Sequence, residues 1–329
     1  MNKKPVLFAS FRPLQRAENL RAIYEAYPGE KVHICTFDPN YRQEVLSGKY
    51  DLMVIDEFPT VTPCKCIMIW HGIQGGKYIG LDQPGHPFYK PEDKDLMTCI
   101  VSAGIGAIPM WVRCTGMSVF SIKPYGMPRT DQYIGKQKGD GHTPLAEKRS
   151  YLFVPTFRDR GETPFPDIDW DYIDNHLTDD ELIAVKVHPW SSYQGRDQAT
   201  GALNASSRKH IITIPGTEPS TPYLYDADVI VTDYSSIMFD GYLLGKPAVL
   251  FEKNPGYTES RGMYLQYPEQ YCSRYATDEQ GLIALMRDAY GNGLTPTEIS
   301  CRDKVAEACD GNSCKRISRL IDSLNRKGW

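Results

Sequence analysis

Two histidines in this chain stand in settings where an imidazole can move a proton or meet a phosphate. His71 lies in Trp70-His-Gly-Ile-Gln-Gly-Gly-Lys77, directly after the apolar run Cys66 to Ile69, and His188 lies in Lys186-Val-His-Pro189 at the end of another apolar run. An imidazole titrates near neutrality and can take the proton of an attacking hydroxyl. The glycines after His71 allow close backbone approach to a ligand, and packing poorly explains a histidine between a tryptophan and such a turn. Lys186 and His188 share one face of a strand because side chains alternate, which offers a cation and an imidazole to a diphosphate. Taken alone, His188 is better explained by a hydrogen bond to a loop, and His33, inside an apolar run, by packing.

Other groups add to this inventory. Val229 to Thr232, Asp233-Tyr-Ser-Ser236 and Ile237 to Leu244 read as strand, polar turn and helix, so Ser235 and Ser236 fall at a helix N-terminus. Unpaired backbone N–H groups there can bind a phosphate oxygen, and the same serines serve equally as caps. Arg129, in Tyr125-Gly-Met-Pro-Arg-Thr-Asp131, is available to clamp a phosphate or to pair with Asp131. Pro155 and Thr156, in Pro155-Thr-Phe-Arg158, close a strand on the kind of loop that meets ligand in open α/β sheets. Cys64 with Cys66, and Cys309 with Cys314, lack the second pair that a zinc site needs. No metal site and no cofactor is expected.

A scaffold must position these groups. A chain of 329 residues exceeds one ordinary core and suits two α/β domains. Its 41% hydrophobic and 24% charged residues, with a net charge of -4, carry no electrostatic footprint for nucleic acid. The opening apolar stretch Val6 to Ala9 is too short for a signal peptide or a membrane span, and nine scattered cysteines suit a reducing compartment. A cytoplasmic protein is expected.

Continuous apolar runs at Val6 to Ala9, Val32 to Thr36, Leu52 to Ile55, Cys66 to Ile69 and Val119 to Ile122 predict buried parallel strands. Helical spacing predicts crossovers over Leu14 to Tyr27 and Tyr41 to Leu46. Gly135 to Arg149 is polar and glycine-rich and reads as an exposed hinge. A second series of strands follows at Tyr151 to Val154, Leu182 to Val187, His210 to Ile214, Val229 to Thr232 and Ala248 to Phe251. Helices are expected over Asp278 to Tyr290, Glu298 to Cys309 and Cys314 to Arg326, the last with a basic face that a solvated surface explains more simply than contact with anionic lipid.

In chain order the chemical groups are His71-Gly, Gly126-x-Pro-Arg-x-Asp131, Pro155-Thr-Phe-Arg158, Lys186-x-His-Pro189 and Asp233-Tyr-Ser-Ser-x-x-x-Asp240. The ordered set resembles the CDP-glycerol glycerophosphotransferase family of teichoic-acid and capsule primases and polymerases, over roughly Cys66 to Gly262, including Gly245-Lys-Pro-Ala-Val-Leu-Phe251 and Arg261-Gly262. The resemblance implies an α/β protein of GT-B type, two Rossmann-like lobes with C-terminal helices. With the boundary in the hinge, residues 1–138 form the acceptor-side domain and residues 139–329 the nucleotide-donor domain, and His71 and His188 meet in a cleft between them.

The implied reaction moves glycerol phosphate or a related polyol phosphate from a CDP-activated donor to a hydroxyl of a glycan, lipid-linked or polyol-phosphate acceptor, releasing CMP, with possible peripheral contact at the inner face of the membrane. Carried over residue by residue, His71 and His188 are catalytic, while Gly72, Ile73, Gln74, Gly75, Arg129, Pro155, Thr156, Lys186, Val187, Ser235, Ser236 and Asp240 bind the donor. His71 is the candidate base, and Lys186, His188, Arg129 and the serine pair hold the diphosphate. Asp240 takes a donor hydroxyl rather than a metal. Ile73-Gln-Gly75 stands where Thr-Pro commonly follows the family's His-Gly, which leaves polyol and acceptor open. A GT-B glycosyltransferase or a sugar-nucleotide epimerase using a UDP-sugar would need the same two lobes.

Overall fold

Strands that lack polar alternation are covered on both faces, and parallel sheets are where such strands occur. The computed structural model describes residues 3–83, 89–156, 168–186, 208–253 and 262–326. It divides into two units, Met1–Ile134 with Asp303–Trp329, and Gly135–Arg302. Val187 and His188, like Phe157, Arg158 and Arg261, lie outside the described residues.

The first unit holds a sheet of β1 (Val6–Ser10), β2 (Lys31–Cys35), β3 (Leu52–Ile55), β4 (Lys65–Ile69), β5 (Cys99–Ser102) and β6 (Ile122–Pro124). Its order is β2-β1-β3-β4-β5-β6, and every pairing is parallel. The inner strands β1, β3 and β5 are buried throughout, whereas β2 at one edge is partly exposed. Helices α1 (Glu18–Ala26), α2 (Tyr41–Val45) and α3 (Ile108–Thr115) belong to the same unit.

Three local readings change here. The helix expected over Leu14 to Tyr27 is a 3-10 turn, Leu14–Arg16, and then α1, separated at Ala17 with φ -92° and ψ 67°. The strand expected at Val119 to Ile122 begins only at Ile122, because Ser118 accepts a hydrogen bond from Phe120 N and folds Val119–Ser121 into a 3-10 turn. Strand β5 and helix α3 fill a stretch for which the sequence reading named no element.

The second unit has β7 (Arg149–Phe153), β8 (Glu181–Lys186), β9 (Ile211–Ile214), β10 (Val229–Thr232), β11 (Ala248–Phe251) and β12 (Tyr275–Ala276), in the parallel order β12-β11-β10-β7-β8-β9. With them are α4 (Trp170–His176), α5 (Thr221–Asp226), α6 (Ile237–Leu243) and α7 (Glu279–Asn292). Alternate sheet residues, Tyr151 and Phe153, Ile183 and Val185, Val229 and Val231, cluster with Trp170 and Ile173 of α4 and Leu282 and Met286 of α7. The intervening Ile230 meets α6 instead, so closely that a Cβ on Gly241 would lie 2.7 Å from its Cγ1.

The chain end differs from the sequence boundary. Residues 303–329 were expected with the second domain, but they belong to the first unit. The helix Ser313–Leu324 buries Ile317 and Ile321, one turn apart, and packs against α1. Its N-terminus is held by Asp131, whose two carboxylate oxygens accept from Ser313 N at 2.9 Å and Cys314 N at 2.8 Å. A carboxylate there satisfies two orphan amides and faces the positive end of the helix dipole. Its C-terminal end is held too, since Lys65 Nζ donates to Leu324 O at 2.7 Å.

The segment read as an exposed hinge is likewise anchored, on buried Asp226. Asp226 accepts from Gly139 N and Gly141 N, both at 2.9 Å, and from Thr143 N at 2.7 Å and Thr143 Oγ1 at 2.8 Å. Burial alone would raise its carboxyl pKa, but these donors outweigh burial and hold it below the ordinary value. Among the described residues no helix is long and apolar enough to cross a membrane. Replacing Asp131 with Ala should destabilise the first unit by about 1–2 kcal/mol, and Asp131→Asn by less. The midpoint shift in urea unfolding measures both.

Candidate active site

In an open parallel sheet, two neighbouring strands whose crossovers run to opposite sides leave a crevice at their carboxyl ends. In the first sheet those strands are β1 and β3. A pocket lies there, lined by Phe11 and Arg12 after β1, Arg16 to Asn19 entering α1, Asp56 and Glu57 after β3, and His71 after β4.

The His71 turn is fixed from several directions. Asn19, 1% exposed, donates from Nδ2 to Trp70 O at 2.9 Å and accepts from Arg129 N at 3.1 Å. Arg129 Nη1 donates to His71 O. The Trp70 ring lies 4.3 Å from the His71 ring at 33°. Glu57 Oε1 lies 2.9 Å from His71 Nδ1. The His71 side chain is 41% exposed, while Gly72, Ile73, Gln74, Gly75 and Gly76 are buried. Gly72 to Gly76 thus lie within the unit, with His71 at its surface. Arg129, expected on a phosphate, is 6% exposed and braces the backbone of His71.

Asp56 is 3% exposed and accepts from Phe11 N at 3.0 Å. Burial pushes its carboxyl up to about 7 and the neighbouring Glu57 adds to the rise, against the pull of the Phe11 N–H and Arg12. His33, expected to be packed, is half-buried on edge strand β2, with Nε2 2.7 Å from Ser10 Oγ.

In the second sheet the crossovers part between β7 and β10. Thr156, just beyond β7 and 2% exposed, donates from N to Asp233 Oδ1 at 3.0 Å and from Oγ1 to the same oxygen at 2.7 Å. Asp233 directly follows β10. Pro155 is buried beside Thr156. Lys186, the last residue of β8, is 2% exposed and donates from Nζ to Pro215 O at 3.3 Å. Ser235 and Ser236 are half-buried; Ser236 occupies the N-cap of α6, but its side chain makes no capping hydrogen bond. Asp240, expected to meet a donor hydroxyl, is 1% exposed within α6.

The described candidate residues thus gather at the carboxyl edges of the two sheets, His71 and Arg129 in one unit, Pro155, Thr156, Lys186, Ser235 and Ser236 in the other. Sequence reasoning missed Asn19, Asp56, Glu57 and the pairing role of Asp233. A usable signal existed for three of them: an acidic residue directly follows an apolar strand run at Asp56-Glu57 and at Asp233. Asn19 carries no such mark. Among the described residues no cluster of three or more His, Cys, Asp or Glu is arranged to hold a metal ion.

Residues 45–323 match the model of the CDP-glycerol:poly(glycerophosphate) glycerophosphotransferase family. The teichoic acid poly(ribitol-phosphate) polymerase of Bacillus spizizenii is 24% identical over 260 residues, covering 72% of this chain and 41% of that protein. This chain therefore spans less than half of that relative. The structure of the wall teichoic acid polymerase TagF shares the fold with a TM-score of 0.75 at 19% identity, over 99% of this chain and 90% of that one. A UDP-GlcNAc 2-epimerase from Neisseria meningitidis shares it more loosely, with a TM-score of 0.58 at 11% identity, over 97% of this chain and 100% of that one.

The Asp56 shift has a direct consequence for stability. Its folded-state pKa lies above the ordinary value of about 3.9, so the stability it lends is complete below that pH and is lost as pH rises to about 7. Asp56→Asn keeps an acceptor for Phe11 N and removes the buried charge. It should raise stability at pH 8 by an amount on the order of 1–3 kcal/mol, read as a higher thermal midpoint, and raise it less at pH 5.

Proposed function

The chain belongs to the CDP-glycerol:poly(glycerophosphate) glycerophosphotransferase family, and from that premise we propose that it transfers glycerol phosphate or ribitol phosphate from a CDP-activated donor to a hydroxyl acceptor, releasing CMP. The product is a cell-wall or capsule polymer, and the acceptor a glycan, lipid-linked or polyol-phosphate chain. The observation that carries this reading is the placement of His71, an exposed imidazole on a buried turn at the carboxyl edge of a parallel sheet.

In the proposed step the acceptor oxygen attacks the phosphorus that bears the polyol, its proton passes to His71, and the P–O bond to CMP breaks with the electron pair leaving on CMP. Such a reaction asks chiefly for alignment and for neutralised charge on phosphoryl oxygens. We assign the donor to the second unit, to Pro155, Thr156, Lys186, Val187, His188, Ser235, Ser236 and Asp240. Arg129 and Gly72 to Gly75 support the base.

We further infer a cytoplasmic enzyme that works at the inner face of the membrane. Exposed Lys315 and Arg319 on the C-terminal helix, and Arg326 just beyond it, supply positive charge suited to anionic lipid. The UDP-sugar alternative has the support of a shared fold alone.

Purified protein given a polyol-phosphate-primed acceptor should release CMP from CDP-glycerol or CDP-ribitol and release no nucleotide from UDP-sugars. Nucleotide release from a UDP-sugar alone would sink the reading. His71→Ala should lower CMP release roughly 10²–10⁴-fold, the usual range for loss of a general base, with an unchanged circular dichroism spectrum.

A further inference from the structure

We infer that Glu57 is the positioning residue of this site: its carboxylate takes the Nδ1 side of the His71 ring and thereby presents Nε2 to the acceptor hydroxyl. The inference rests on the reading of His71 as the base. Strands β3 and β4 pair in parallel with Ile55 opposite Met68, so the residues just beyond them run side by side. Asp56 turns inward to Phe11 N, and Glu57 meets His71 Nδ1 at 2.9 Å.

Each remaining freedom of the imidazole is restricted by a different group. Asn19 and Arg129 hold the carbonyls on either side of the His71 Cα, and the Trp70 ring packs tilted against the imidazole. A half-turn about the last side-chain bond would still put Cδ2 where Nδ1 stands and Cε1 where Nε2 stands, and only a partner for one nitrogen settles it. Among the described residues Glu57 is the partner of Nδ1, while the structure gives Nε2 none. A carboxylate accepts a proton-bearing nitrogen, so Nδ1 carries the hydrogen and Nε2 the lone pair.

The proton balance follows from that assignment. The acceptor O–H proton goes to Nε2 as the new O–P bond forms and the bond to CMP breaks. The Nδ1–H stays on the ring, and the Glu57 carboxylate offsets the positive charge of the imidazolium without taking the proton. A carboxylate in this relation to a catalytic histidine acts through tautomer and charge, and its loss leaves binding of substrate largely intact.

The test combines spectroscopy with kinetics. In 15N-histidine-labelled protein, with the His71 signals assigned by their disappearance in His71→Ala, the neutral ring should show Nδ1 protonated and Nε2 bare. In Glu57→Gln the pattern should become a mixture of tautomers. With a CDP-polyol that wild type turns over, Glu57→Gln should lose roughly 10²–10⁴-fold in kcat with donor KM within about threefold, and Glu57→Asp should recover at least about tenfold of that loss. Unchanged thermal midpoints separate these effects from misfolding. A wild-type ring protonated on Nε2 overturns the inference, as does a Glu57→Gln variant with wild-type kcat or with its whole loss in KM. If no CDP-polyol is turned over, the proposed function falls while the 15N spectra still decide which nitrogen Glu57 holds.

Discussion

A buried guanidinium persists only where its donors find acceptors, and Arg129 is such a group. One donor is given to the carbonyl of His71, and its own backbone N–H to Asn19 in α1. Two residues later Asp131 holds the first amides of the C-terminal helix. The six-residue turn Pro128–Tyr133 thus ties together three parts of the first unit that are remote in sequence. A glycine-rich turn has little stiffness of its own. The direction of His71 is set by residues 19, 57, 70 and 129, and the turn supplies only the place.

The two sheets reach the same arrangement by different strand orders. In the first, the reversal falls between β1 and β3, and in the second between β7 and β10. What lines each crevice differs in kind. The first presents carboxylates, two arginines and an imidazole, a set suited to handling a proton. At the second, a threonine is bonded to an aspartate, a lysine ends β8 and a pair of serines follows β10.

Much of this was legible in the sequence, for a stated reason. Strands buried on both faces are apolar at every position in Leu52–Ile55 and at all but the last in Val229–Thr232, and nothing in their surroundings competes with that reading. Legibility fails where a local hydrogen bond overrides the pattern. Ser118 folds back Val119–Ser121, and Phe120 is 83% exposed in consequence, although the apolar run looked like a core strand. It fails again where a side chain acts at long range. The Gly135 to Arg149 stretch has the composition of a flexible connection, and carboxylates far along the chain, Asp226 and Asp228, help make it part of the second unit. At the site, His71 and Arg129 were visible as residue types in a motif. Arg129's partner is a backbone carbonyl, which no composition reveals, and Glu57 became meaningful only once β3 and β4 were known to be neighbours.

The first unit is interrupted, since its chain leaves at Ile134 and resumes at Asp303. During synthesis this imposes an order of assembly. All six strands of the first sheet emerge before any of the second, yet the helix that covers α1 is made after all of them. The second unit, contiguous in sequence, can close its sheet while the first still exposes the face of α1 that Ile317 and Ile321 later cover. The turn that braces His71 gains its anchor through Asp131 only when Ser313 and Cys314 arrive. The brace on His71 thus depends on a segment that is synthesised after the whole of the second unit.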